Sequence, residues 1–130
     1  MLGIDTNVLV GYLIRDDERQ FEKVRKLIKR EIVAGRQVLV SQLVFLETEW
    51  VLRSRYGLSR TEIVSAISGL LGAADVKIED EATVEEAIYI WKENSADFAD
   101  CFIGAKNRRL GCSATATFEK ASKLPSFVMA

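Results

Sequence analysis

The stretch GRQVLVSQLVFLETEWVLRSRYGLSRTE, residues 35–62, carries one complete strand–helix alternation with both ends of the helix marked. Gly35 closes a preceding helix, because glycine accepts the left-handed conformation of a helix end without steric cost. Gln37 to Val40 is a short apolar run of the kind that forms a buried strand. Ser41 offers a side-chain oxygen to cap the helix from Gln42 to Tyr56, and Gly57 stops that helix. Ser59 through Glu62 then spells a capping box for a further helix to Leu71.

The same alternation extends in both directions. Upstream, Leu2 to Asp5 reads as a short buried strand running into Thr6-Asn7, and Val8 to Ile14 is helical. Asp16-Asp17-Glu18 opens a second helix to about Ala34 that stacks Phe21, Val24, Leu27, Ile28 and Ile32 on one face. Downstream come a strand at Val76 to Ile78, helices from Glu81 to Glu93 and from about Phe98 to Leu110, and a strand from Cys112 to Thr117. A short helix over Glu119 to Ser122 and an edge strand at Phe127 to Met129 complete the chain. Strands alternating with helices predict a parallel sheet covered on both faces. The expected fold is therefore α/β, a three-layer α/β/α sandwich with a central, mainly parallel twisted sheet.

A chain of 130 residues with 48% hydrophobic and 28% charged residues can bury one cooperative core. One proline, scattered glycines and no repeat leave no room for a linker, so residues 1–130 are read as a single domain. The apolar runs fall short of the roughly 18 residues needed to span a bilayer. The first residues show no signal-peptide pattern, and the expectation is a cytoplasmic protein without a membrane partner. Cys101 and Cys112 match no zinc spacing and are read as reduced core thiols.

Histidine is absent altogether, which removes Ser-His and Cys-His nucleophiles, histidine-bound zinc and any imidazole shuttle. Carboxylates remain. Asp5 ends the first strand, where it either caps the next helix or serves a site on the carboxyl rim of the sheet. Glu47 shares a helix face with Leu43, Leu46 and Trp50, a face expected to pack inward, so its carboxylate needs a cation or buried donors. Glu49 has Arg53 four residues on and reads as a solvated helix ion pair. Asp97 and Asp100 stand together at a helix start, one acid more than capping requires. Glu119 follows the strand ending at Thr117, as a rim acid or an ordinary helix start.

Asp5, Glu47, Asp100 and Glu119 each fall after a different strand or on the helix following it, so a parallel sheet would gather them. Gathered carboxylates repel one another, and a hard divalent ion relieves the repulsion. Oxygen ligands without histidine or thiolate suit Mg²⁺ or Mn²⁺, and metal-assisted phosphodiester hydrolysis follows from that chemistry.

The segments IDTNVLVGYL (4–13), VSQLVFLETEWVLRSRYGLSR (40–60), ADFADCFIGA (96–105) and TFEKASKLPSF (117–127), in that order, resemble the PIN-domain ribonucleases, and among them the VapC toxins of toxin-antitoxin pairs. The resemblance implies a Mg²⁺- or Mn²⁺-dependent endoribonuclease acting on RNA, a homodimer, silenced by a small VapB-like antitoxin protein. It implies Asp5, Glu47 and Asp100 as acidic metal ligands and Asp97 as an additional acid. Thr6, Asn7 and Thr117 are then the polar residues that orient these acids. At Glu119 the chain departs from the pattern, which more often carries aspartate. A side chain longer by about 1.5 Å predicts contact with a metal through water.

A net charge of −1 gives no overall field to hold RNA, so local cations must do so. From Asp75 to Asp100 the sequence has nine acidic and two basic residues, and from Cys101 onward one acidic and five basic. Arg15, Arg53, Arg55, Lys106, Arg108 and Arg109 are the candidate phosphate contacts. Two other readings compete. A phosphatase with Asp5 as nucleophile, as in haloacid dehalogenases, would need a second aspartate where Asn7 stands. A metal-free PIN-like protein-binding module would need neither metal nor catalysis.

Overall fold

Val38 and Val40 are wholly buried, and they lie in the middle strand of a three-stranded parallel sheet built from β1 (Leu2–Gly3), β2 (Val38–Val40) and β3 (Val76–Ile78) in the order β1-β2-β3. Leu2 pairs with Val38, and Val38 with Val76. β3 alternates buried Val76 and Ile78 with exposed Lys77, the period of a strand with one covered face. The computed structural model describes residues 1–118 and 124–130. Its chain forms two compact units, Met1–Glu79 and Asp80–Ala130.

Four helices complete the first unit: α1 (Thr6–Leu13), α2 (Glu18–Val33), α3 (Gln42–Ser54) and α4 (Arg60–Ser68). Each starts on a local cap. Asp5, Asp17 and Ser41 accept from the backbone N–H three residues on, and Ser59 and Glu62 form the full capping box. Gly35 and Gly57 hold φ of +75° and +65° just beyond α2 and α3, where a Cβ would be strained. Phe45, Leu52, Ile63 and Ile67 fill the core of this unit. Ile32, expected on the packed face of α2, is exposed, and Glu31 is buried beside Val24 and Ile28.

The second unit contains α5 (Glu81–Glu93), α6 (Phe98–Arg109), and a parallel pair, β4 (Thr115–Thr117) with β5 (Phe127–Met129). α5 and α6 pack through Trp91, Phe98 and Phe102, whose rings meet edge-on at centroid distances of 5.2 and 5.5 Å. The helix expected over Glu119 to Ser122 lies outside the described residues. Parallel strands alternating with helices are thus present as expected, in an α/β fold with six helices among the described residues. Among the described residues no helix is long and apolar enough to cross a membrane.

α3 turns the other way from the sequence expectation. Phe45, Thr48, Glu49 and Leu52 are its buried stripe, while Leu43 is 78% and Trp50 50% exposed. Glu47 therefore lies on the open face. Glu49, expected in solvent, has 4% of its surface exposed and accepts from Arg53 Nε at 2.8 Å. The ion pair is present as expected, with its carboxylate inside. Each stripe sets one glutamate among apolar residues at helical spacing, so periodicity alone cannot choose between them.

Candidate active site

The ladder of β1 continues to Ile4, whose N–H donates to Leu39 O at 3.1 Å, and Asp5 follows at the carboxyl end of the sheet. Asp5 turns the chain into α1, with Oδ1 accepting from Val8 N–H at 3.0 Å. Thr6 opens the helix and is buried. Its hydroxyl donates to Glu47 Oε1 of α3, so the first turn of α1 and the second turn of α3 are joined beside Asp5. Among the described residues, Asp5 Oδ2 and Glu47 Oε2 keep no protein partner. Asn7, which follows Thr6 in the first turn of α1, is exposed.

A rim acid that the sequence reading left out stands at the end of β3. Glu79 extends the β2 ladder through N–H to Val40 O at 3.0 Å, and its Oε1 accepts from Gln42 N at 2.9 Å. It stabilises the open N-terminus of α3 as an anion should. Its position directly after Val76–Ile78 was the available signal.

In the second unit, Asp97 occupies the N-cap of α6, exposed and without a side-chain capping bond, and Asp100 lies in the first turn, half-buried. The Asp97 carboxylate is therefore not consumed by capping. Thr117 ends β4, half-buried. Glu119 lies outside the described residues.

Most of the candidate phosphate contacts are already paired. Arg53 binds Glu49, Lys106 binds Asp80 at 2.9 Å, and Arg108 and Arg109 both reach Glu86. Arg55 stands exposed at the C-cap of α3. Arg15 is loosely paired to Glu18 at 3.5 Å, with its guanidinium over the Phe21 ring at 3.9 Å. Lys106, Arg108 and Arg109 thus serve Asp80 at the N-cap of α5 and Glu86 within it. Asp80 shows the effect most clearly: the Thr83 hydroxyl, and then Lys106, hold its carboxyl down at about 2.

The family model of the PIN domain matches residues 3–123, nearly the whole chain. The chain belongs to the PIN-domain family. Among solved structures it is similar to VapC20 of Mycobacterium tuberculosis, described as a sarcin–ricin loop cleaving toxin. Identity is 22%, coverage 94% of this chain and 93% of that one, and the TM-score 0.42. A comparison with curated proteins gives no match.

In this PIN domain, which has no histidine, Asp5 and Glu47 present oxygen donors only. Among the described residues no three His, Cys, Asp or Glu side chains gather to hold a metal ion. Asp5 and Glu47 nevertheless fit a hard divalent cation. Each keeps an unengaged carboxylate oxygen, Glu47 is exposed, and Mg²⁺ characteristically takes one or two carboxylates and completes its shell with water and substrate phosphate.

Proposed function

We propose that this PIN domain is a Mg²⁺- or Mn²⁺-dependent endoribonuclease that hydrolyses RNA phosphodiester bonds, acting as the toxin of a toxin-antitoxin pair. The observation that carries the reading is the hydrogen bond from Thr6 to Glu47. It fixes one oxygen of an exposed carboxylate and leaves the other open, next to Asp5 with the same division of labour. Asp5 and Glu47 would hold the ion through those open oxygens. When bound, such an ion neutralises charge on a scissile phosphate and lowers the pKa of water. Thr6 limits the rotamers of Glu47, and Asp5 is held by the helix it caps. Asp97 and Asp100 are assigned as further acids of the reaction, Asp97 with a carboxylate able to orient water or take up its proton.

In this reading the partners are an RNA substrate, a small antitoxin protein and a second copy of the chain, and the compartment is the cytoplasm. Calorimetric titration with Mn²⁺, together with cleavage of labelled RNA in Mg²⁺, Mn²⁺ or chelator, tests it. Wild-type protein should give binding heat and metal-dependent cleavage. Asp5→Asn and Glu47→Gln should lose both, with melting temperatures in chelator nearly unchanged. No heat from wild type would mark a metal-free binding module, and a large loss of apo stability in Glu47→Gln would mark a structural carboxylate.

A further inference from the structure

Between α1 and α2, in the first unit, two aromatic rings stack and the guanidinium of Arg15 lies over one of them. The rings of Tyr12 and Phe21 are nearly parallel, 8° apart with centroids at 5.6 Å, and the Arg15 guanidinium carbon sits 3.9 Å from the Phe21 centroid. Both rings are half-buried, while the Arg15 side chain is 58% exposed. A guanidinium laid on an aromatic face keeps its plane, and its delocalised charge is weakly hydrated, so a further planar ligand can stack on it. Arg53, Lys106, Arg108 and Arg109, by contrast, are tied to carboxylates of α3 or α5.

The position suits a strand of nucleic acid that also reaches the acidic pair. Tyr12 follows Asp5 by seven residues, close to two helical turns, so the two lie on one side of α1 about 10 Å apart along its axis. Nucleobases of single-stranded RNA stack on aromatic rings and on arginine planes, whereas a phosphate needs only a point charge.

We propose that Arg15, laid on the Phe21–Tyr12 stack, is a stacking platform for an unpaired base of the RNA substrate. This rests on the ribonuclease reading for its ligand and adds to it a binding residue that acts through planarity as well as charge. Glu18, 3.5 Å away, orients the guanidinium from its Nη2 edge.

The experiment is fluorescence anisotropy in chelator, so that binding is read without cleavage. The probes are a labelled single-stranded oligoadenylate and the same strand carrying abasic sites, each over a series of salt concentrations. Wild type should bind the base-bearing strand about tenfold more tightly than the abasic one, in keeping with one stacked base. Arg15→Lys keeps the charge and should lose that preference with the salt slope unchanged. Arg15→Ala should lose the preference and lower the slope by about one. Phe21→Leu, which keeps an apolar contact against α1, should lose the preference as well. Wild-type affinity and preference in Arg15→Lys would overturn the platform in favour of a phosphate contact, and unchanged binding in Arg15→Ala would reduce Arg15 to a packing residue. Cleavage in Mn²⁺ is scored separately. Cleavage without base preference sinks the platform alone, and base preference without cleavage sinks the ribonuclease reading alone.

Discussion

Thr6 joins two helices with one hydroxyl, and its deletion is the most informative single-atom change in the molecule. Thr6→Val keeps the β-branched shape and removes the donor to Glu47. Loss of an orienting bond of this kind typically costs 10–100-fold in metal affinity or activity, so Mn²⁺ affinity should fall by about that factor while the melting temperature stays within a few degrees. Thr48 poses the opposite case. Its hydroxyl is fully buried and, among the described residues, has no hydrogen-bond partner. Thr48→Val should therefore raise stability by about 1 kcal/mol in urea denaturation. Asp80 supplies a pH signature. Its folded carboxyl titrates at about 2 against an ordinary 3.8, so its stabilising contribution is complete above the unfolded value and is lost as pH falls through the folded one. Asparagine tolerates the left-handed backbone of Asp80, φ +49°, so Asp80→Asn isolates the charge. The stability gap between wild type and Asp80→Asn should be level above about pH 4 and close between about pH 4 and 2.

At the scale of elements, helix starts were readable to within two residues, while α3 and α4 end at Ser54 and Ser68, short of the expected Tyr56 and Leu71, and the buried face of α3 was not readable. Ser41, Ser59-x-x-Glu62, Gly35 and Gly57 all act within four residues of the turn they punctuate, so the sequence contains the whole interaction. The helix from Glu81 to Glu93 and the strand from Val76 to Ile78 have the expected bounds. α3 is apolar on two sides, and the misreading of Glu47 and Glu49 follows from that alone. Asp80 and Glu86 likewise look like excess negative charge along the chain, until α6 brings Lys106, Arg108 and Arg109 to them. Gly104 tests how closely that unit is fitted. A Cβ there would stand 2.7 Å from Phe127 Cε1. Alanine should gain about 1 kcal/mol of helix propensity and lose about 1–3 kcal/mol to overpacking, so Gly104→Ala should be net destabilised and melt below wild type.

For the molecule as a whole, the near balance of charge hides its distribution. Several positive groups are spent on buried or helix-borne carboxylates, Arg36 on Glu31, Arg53 on Glu49, and the α6 cations on Asp80 and Glu86. The PIN match extends across both compact units, and each unit contributes parallel strands and acids at helix starts. The amino-acid sequence by itself determined the order of strands and helices, their caps, the parallel pairing and the absence of imidazole chemistry. Those depend on steric and hydrogen-bonding preferences within a turn or on composition. Only the tertiary structure decided which stripe of α3 is buried, that Glu79 stabilises α3, that Thr6 holds Glu47, and which cations are already taken. The Thr6–Glu47, Glu79–Gln42 and α5–α6 pairings join partners 22 to 41 residues apart along the chain, and the buried stripe of α3 follows from the joint burial of several elements that no local preference encodes.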